Sequence, residues 1–204
     1  MYKFAVSIFA SAIALSGCGP QPTVTTTSSA TDAPAPAAAA AVSQAPIATV
    51  ALHEATHNNF RDLLESKRGK VVFVDYWGTW CGNCMEEFPH TVELANKHRD
   101  AGLAVISVAM ELDPTDEATQ AAALDFLTKQ NATFENLLYE ADGTTEEAQA
   151  GFNMSEGTVL PYFQLYDRAG KLVKEFTFSD PQNPISREDI DAAVAEAVAG
   201  GVEE

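Results

Sequence analysis

Two cysteines lie three positions apart in the stretch Trp77-Gly78-Thr79-Trp80-Cys81-Gly82-Asn83-Cys84. The apolar run Val71–Trp77 leads into it and is typical of a strand buried on both faces of a sheet. A helix is expected from Gly82 onward. Cysteines at i and i+3 on a helical turn have Cα atoms about 5–6 Å apart, which is within disulfide range. The arrangement therefore indicates reversible dithiol chemistry between Cys81 and Cys84.

Position on the helix distinguishes the two thiols. Cys81 is expected at the helix N-terminus, where the helix dipole and the unpaired backbone N–H groups favour a thiolate. We therefore predict that Cys81 is the attacking nucleophile. Cys84 lies one turn further in and is expected to be more buried, so it would resolve the mixed disulfide that Cys81 forms.

Other interpretations of the cysteine pair fit less well. A purely structural disulfide between i and i+3 would close a very small loop and stabilise little. A zinc site needs further ligands, and the four histidines are not in zinc-finger spacing after the pair. These are His53, His57, His90 and His98. We predict no metal and no organic cofactor.

Composition and charge exclude one large class of partner. The chain has 204 residues and is 46% hydrophobic, which is enough for a packed core. It carries 12 Lys and Arg against 29 Asp and Glu, and its formal net charge is −17. Binding to nucleic acid depends on clustered basic side chains. We therefore predict no nucleic-acid partner.

The N-terminus accounts for the third cysteine. Lys3 and the apolar run Phe4–Leu15 have the form of a signal peptide, and the run is too short for a bilayer span of about 20 residues. Leu15-Ser16-Gly17-Cys18 resembles a bacterial lipobox, although an ordinary secretory signal with a chance cysteine is the alternative. Residues 1–18 are thus predicted to be a lipoprotein signal peptide, with lipid on Cys18. This places the chain on the periplasmic side, anchored to the cell membrane or, as Gly19 favours, the outer membrane.

A linker and one domain follow. Residues 19–50 are rich in Ala, Pro, Thr and Ser and contain no aromatic side chain, so we predict a flexible tether. Residues 51–204 are predicted to form the folded domain.

The hydrophobic pattern of the domain predicts alternating helices and strands. Helices are predicted over Glu54–Arg68, Gly82–Asp100, Asp113–Gln130 (with Ala122, Leu124, Phe126 and Leu127 inward), Thr145–Phe152 and from Ser186 onward, and strands over Val71–Trp77, Leu103–Met110, Tyr162–Tyr166 and Leu172–Phe178. The last two strands should form a hairpin. This order predicts an α/β fold with a central mixed β-sheet flanked by helices.

The segment from Val74 to Cys84 resembles the active-site segment of the thioredoxin superfamily. Pro89, five residues after Cys84, matches that family's helix proline, and Leu160-Pro161 is similar to its cis-proline loop. The additional helix before the hairpin, the run Glu86–Pro89 and the lipid anchor resemble the TlpA/ResA-type branch. The resemblance covers about residues 52–198 and implies a thioredoxin-like fold with an extra helix inserted before the C-terminal hairpin.

This resemblance implies further site residues. Pro161 would be cis, the backbone of Leu160 would pair with an extended segment of the substrate, and Trp80 would shape the surface beside Cys81. Asp75 stands in an apolar run and is expected to be buried, which raises the pKa of a carboxyl group. It matches the buried acid of thioredoxins, so we predict that it accepts the proton of Cys84.

The sequence predicts an extracytoplasmic reductase of protein disulfides. Apocytochrome c is a substrate that the resemblance implies, and a membrane electron donor would recharge the protein in an oxidising compartment. Asn83 departs from the Gly-Pro that the family usually has between its cysteines, and this position affects the reduction potential. A disulfide oxidase or isomerase using the same residues, and a copper-handling module, remain alternatives.

Overall fold

A computed structural model of the chain describes residues 49–139, 150–155, 158–177 and 186–200. The predicted signal peptide with Cys18 and nearly all of the predicted linker lie outside these residues, as do positions 145–149 of the predicted short helix and Phe178. Within the described ranges, none of the helices has the length and apolarity needed to cross a bilayer.

Six strands and four helices make up the described part of the domain. The strands are β1 (His53–Ala55), β2 (Val71–Trp77), β3 (Leu103–Ala109), β4 (Glu135–Tyr139), β5 (Tyr162–Tyr166) and β6 (Leu172–Thr177). The helices are α1 (His57–Ser66), α2 (Gly82–His98), α3 (Glu117–Gln130) and α4 (Arg187–Ala199).

The strands form one mixed sheet in the order β1-β4-β3-β2-β5-β6. Strands β1, β4, β3 and β2 are parallel, and β5 and β6 form an antiparallel hairpin at the other end of the sheet. All seven residues of β2 are buried, as predicted for a central strand. The carboxyl ends of β2 and β3 lie side by side, because Trp77 pairs with Ala109. The cysteine stretch therefore begins at the carboxyl edge of the sheet.

The first predicted helix is wrong at its start. Residues His53–Ala55 form β1, which pairs with β4, and α1 begins only at His57. Thr56 caps α1, because its side chain accepts a hydrogen bond from the backbone N–H of Asn59. In the sequence, residues 134–139 are a short apolar segment without a clear period. Most of them form β4, which lies between β1 and β3 in the sheet. Strand β1 has only three residues, too few to show a hydrophobic period, so only its pairing with β4 reveals it.

The predicted third helix starts too early. Helix α3 begins at Glu117 rather than Asp113, because Asp116 accepts a hydrogen bond from Thr119 N at 2.8 Å and caps the helix. Phe126 and Leu127 face the core as predicted, but Leu124 is 40% exposed.

The inward face of α3 was also predicted wrongly at one alanine. Ala123 is fully buried, whereas the predicted Ala122 is exposed. Alanine is small enough to lie on either side of such a weakly amphipathic helix, so the packing partners decide its orientation.

The two faces of the sheet bury separate apolar clusters. Alternate residues of β2 point in opposite directions, so Phe73 and Trp77 face α2, whereas Val74 and Tyr76 face α1. Helix α4 packs on the α2 side through Ile190 and Val194, and Ser186 and Asp189 form its N-terminal cap. The predicted central mixed sheet with helices on both faces is confirmed.

Candidate active site

The two cysteines are joined by a disulfide bond at the start of α2. Their Cα atoms are 5.2 Å apart, within the predicted range. Cys81 is the N-cap residue, and its Sγ accepts a hydrogen bond from the backbone N–H of Cys84 at 3.2 Å. Cys81 is 8% exposed and Cys84 is 2% exposed, whereas Gly82 and Asn83 between them are exposed. Cys84 is thus more buried than Cys81, as predicted.

Side chains and backbone of the β3–α3 connection hold the loop before Cys81. Met110 N donates to Trp77 O at 2.7 Å, and Trp80 Nε1 donates to Met110 O at 2.8 Å. The Glu111 carboxylate accepts hydrogen bonds from Thr79 N and from Thr79 Oγ1, each at 2.8 Å. Hydrogen bonds to a charged acceptor are among the stronger ones in proteins. The loop therefore presents Cys81 in one fixed position.

Gly78 allows the same loop to approach Met110. A Cβ atom at this position would lie 2.6 Å from Trp80 Nε1 and 3.1 Å from Met110 O. A side chain at this position would therefore displace the indole of Trp80 or the backbone of Met110. The indole of Trp80 is 50% exposed next to Cys81, so this hydrogen bond fixes an aromatic surface beside the disulfide.

Asp75 is buried beneath α2, as the sequence predicted. It is 2% exposed, and its Oδ2 accepts a hydrogen bond from Thr91 Oγ1 at 2.6 Å. Cys84 and Thr91 are seven residues apart on α2, about two turns, so they share the helix face that covers β2. Burial raises the pKa of Asp75 to about 7, the negative charge of Glu87 adds to the rise, and the Thr91 hydrogen bond opposes it. The group can therefore exchange a proton near neutral pH.

Helix α4 contributes charges to the neighbourhood of Asp75. Arg187 donates from Nε to Glu87 at 2.7 Å and from Nη2 to Glu86 O at 3.2 Å. Glu87 lies one turn after Cys84, and its side chain is 21% exposed. The arginine thus balances the charge of Glu87, one helical turn after the inner thiol.

The Leu160–Pro161 peptide bond is cis, as the resemblance implied. Pro161 is buried. It directly precedes Tyr162, which pairs with Tyr76, so it lies beside the carboxyl end of β2. Leu160 packs against the apolar cluster that contains both cysteines. The structure thus brings together Cys81, Cys84, Trp80, Leu160 and Pro161. Asp75 lies under the same helix, in contact with Thr91.

The charged side chains are unevenly distributed over the domain. Most lysines and arginines in the described residues lie at the amino ends of the parallel strands, the carboxyl ends of α2 and α3, or the turn between β5 and β6. We call this end the cationic pole. Its cations are Lys67, Arg68, Lys70, Lys97, Arg99, Lys129, Arg168 and Lys171.

The opposite end, which holds the disulfide, is acidic. We call it the active-site pole. Its acids on α2, α3 and the β3–α3 connection are Glu86, Glu87, Glu111, Asp113, Asp116 and Glu117. Arg187 is the cation that contacts α2 there, and it is paired with Glu87.

Sequence reasoning missed several residues of the site. Glu111, Thr91 and Arg187 lie outside the motif, and each reaches it through tertiary contact. A polar Thr on the buried face of α2, opposite an acid in a buried strand, was the one available signal. Trp80 is half exposed, which fits the predicted surface role, and Cys18 lies outside the described residues.

Comparison with known proteins agrees with this geometry. The family model described as Redoxin matches residues 30–194. Thiol-disulfide oxidoreductase ResA of Bacillus anthracis is 40% identical over 57 residues, covering 28% of this chain and 32% of the relative. The protein of the same name from Bacillus subtilis (strain 168) is 27% identical over 120 residues, covering 59% and 60%. The chain thus spans about a third of the length of the first curated relatives that it matches.

A solved structure shows the same fold. It is a thiol:disulfide interchange protein, a thioredoxin family protein from Chlorobium tepidum TLS, with a TM-score of 0.50 and 21% identity. The match covers 66% of this chain and 83% of that protein. The fold is therefore the predicted thioredoxin-like one.

Proposed function

This chain belongs to the redoxin family, and on that premise we propose that it is a thiol-disulfide oxidoreductase that reduces disulfides of other proteins outside the cytoplasm. The observation that carries the proposal is the Cys81–Cys84 disulfide at the start of α2, with Cys81 less buried than Cys84 and Leu160 packed against the same apolar cluster. The names of the relatives, ResA-type thiol-disulfide oxidoreductases, support the same chemistry.

The reaction starts from the reduced protein. The Cys81 thiolate attacks one sulfur of a substrate disulfide, which forms a mixed disulfide and releases the other substrate sulfur as a thiolate. The Cys84 thiolate then attacks Cys81 Sγ, which closes the Cys81–Cys84 bond and releases the second substrate thiol. Two electrons pass from the protein to the substrate, and the disulfide described here is the product state of the protein.

Asp75 takes the proton of Cys84 in the second step. A pKa of about 7 lets the carboxylate accept a proton near neutral pH and release it again. The alternative direction, oxidation of substrate dithiols, would use the same groups in reverse. Asn83 between the cysteines gives no structural preference, because its side chain is exposed and forms no hydrogen bond with either sulfur.

The predicted lipid on Cys18 supports placing this activity at a membrane surface outside the cytoplasm, tethered through residues 19–50. Protein disulfides are the proposed substrates, with the cysteines of apocytochrome c as one candidate. A membrane dithiol donor would return the two electrons, because the surrounding compartment is oxidising.

Trapping in cells tests the proposal. In the full chain with Cys84→Ser, the mixed disulfide on Cys81 cannot be resolved, so we expect covalent adducts with other proteins that disappear on treatment with dithiothreitol. The matched variant Cys81→Ser should form none. Absence of adducts with Cys84→Ser would contradict substrate reduction by Cys81. A reduction potential near −270 mV for the cysteine pair would support reduction of substrates, and one near −120 mV would instead indicate oxidation of substrates.

A further inference from the structure

We propose that the surface around Cys81 selects substrates in which the target disulfide is flanked by cationic and apolar residues in an extended segment. This inference rests on the proposed function and names its substrate class. Three observations carry it, namely the apolar groups around the disulfide, the acidic groups beyond them, and the placement of the cations at the far end of the domain.

The apolar part of the surface comes from two segments, one next to Trp80 and one next to Leu160. Trp80 is 50% exposed, and its ring is held against Met110 by the Nε1 hydrogen bond. Leu112, two residues further along the same connection, is 80% exposed. On the other side Val159 is 50% exposed and directly precedes Leu160 and the cis-proline. Exposed apolar groups of this size next to a reactive centre favour contact with another polypeptide.

Acidic groups lie beyond this apolar rim. Glu86 in the first turns of α2 and Glu117 in the first turn of α3 are both exposed. Asp113, in the connection between β3 and α3, is exposed as well. Both helices start from the carboxyl edge of the sheet, where the disulfide lies, so these carboxylates share its side of the molecule.

The cations cannot neutralise this surface. Eight of the described lysines and arginines lie at the cationic pole, and Arg187 is occupied by Glu87. Acids at helix N-termini and cations at C-termini also stabilise the helix dipoles, and this accounts for part of the pattern. The result for an approaching ligand is nevertheless the same, because both helices turn their acidic ends toward the substrate.

A charged surface of this kind acts mainly on the rate of encounter. A surface of one sign raises association rates for oppositely charged partners by about 10- to 10³-fold at low ionic strength. The effect falls steeply with salt, because the screening length is about 8 Å at 0.15 M and about 3 Å at 1 M. Salt dependence therefore separates electrostatic selection from apolar contact.

The test uses two disulfide peptides that differ only in charge. Each carries one intramolecular disulfide with the same apolar neighbours, flanked by lysines in one peptide and by glutamates in the other. The chain is reduced, freed of reductant and mixed with each peptide, and single-turnover reduction is followed at 20 mM and 500 mM salt. In each turnover Cys81 and Cys84 are oxidised to the disulfide, and the peptide disulfide becomes two thiols.

We expect the lysine peptide to react at least tenfold faster than the glutamate peptide at 20 mM salt. The ratio should fall toward one at 500 mM salt. The double variant Glu86→Gln/Glu117→Gln should reduce the ratio several-fold. The matched variant Asp100→Asn/Asp125→Asn, which removes two exposed acids near the cationic pole, should leave the ratio unchanged.

Equal rates for the two peptides at low salt, or equal effects of the two double variants, would overturn this inference while leaving disulfide reduction intact. Failure to reduce either peptide would instead overturn the proposed function. The two failures are therefore distinguishable in one experiment.

Discussion

Asp75 and Gln164 are buried polar residues on neighbouring strands, one on each face of the same sheet. Asp75 on β2 faces α2 and has a hydrogen bond from Thr91. Gln164 on β5 faces α1 and accepts hydrogen bonds from Tyr76 and Tyr166, each at 2.8 Å, while its Nε2 donates to Asn153 O at 2.7 Å. Both side chains are almost fully inaccessible to water.

The difference lies in what burial does to each group. Gln164 has no titratable proton, and its amide is paired on both sides, so burial makes it part of a rigid network. Asp75 is titratable and has fewer partners, so burial raises its pKa to about 7. A fully paired polar group in a core supports structure, whereas a buried carboxyl group with one hydrogen bond stays titratable near neutral pH.

The largest expected effect comes from removing the charge of Asp75. Below its usual pKa of 3.8 the carboxyl is protonated in both the folded and the unfolded chain. Between about 3.8 and about 7 only the folded chain keeps the proton, so this group's contribution to stability falls as pH rises through that window and then stays constant. Across the whole window the free energy of unfolding falls by about 4 kcal/mol, because each pKa unit corresponds to about 1.36 kcal/mol.

We therefore expect oxidised Asp75→Asn to be more stable than the wild-type protein at pH 8, by up to about 4 kcal/mol, and equally stable near pH 3.5. Urea unfolding across this range measures the difference. Resolution of the mixed disulfide at pH 7 should slow by about 10²-fold in the same variant. The exposed control Asp100→Asn should change neither, and a stability difference that does not vary with pH would refute the assignment.

The second effect concerns the other face of the sheet. Gln164→Leu removes the acceptor of two tyrosine hydroxyls and the donor to Asn153, so we expect a loss of about 2–3 kcal/mol in the free energy of unfolding. Tyr166→Phe, which removes one of these bonds, should cost about 1 kcal/mol. Chemical denaturation measures both.

The loss in Gln164→Leu should be independent of pH between 4 and 8, and the reduction potential of the cysteine pair should stay at the wild-type value. A change in potential would show that the two faces of the sheet are coupled. Gln164 could then not be regarded as purely structural in contrast to Asp75.

The smallest expected effect concerns the hydrogen bond between Thr91 and Asp75. Thr91→Val keeps the shape of the side chain but removes the hydroxyl that donates to Asp75 Oδ2. Because this hydrogen bond lowers the pKa of Asp75, its loss should move the upper end of the pH window in which stability falls to above pH 7. Unfolding free energies measured from pH 5 to 9 would show the shift.

Thr115→Val is a suitable comparison, since Thr115 is exposed in the β3–α3 connection and its substitution should leave the window unchanged. An upper end of the window in Thr91→Val that moves below pH 7 would mean that the hydroxyl raises rather than lowers the pKa of Asp75.

Much of the site was predictable because its signals are local. The spacing of Cys81 and Cys84 on one helical turn, and the acid inside an apolar strand, each need only a few neighbouring residues to be interpreted. The cap formed by Ser186 and Asp189 is local in the same way. The Glu111 clamp on Thr79 spans 32 positions, and the Arg187–Glu87 pair spans 100. No periodicity connects residues so far apart.

The sequence by itself determined the dithiol pair, the burial of Asp75 and the alternation of strands and helices, because these follow from residue type and short-range period. The tertiary structure alone decided that β4 enters the sheet between β3 and β1, that Gln164 is fully paired, and that most cations lie at the end opposite the disulfide. Parallel strands joined through helices bring all their carboxyl ends to one edge. This long-range geometry turns a local Cys-Gly-Asn-Cys motif into a surface with its own partner preference.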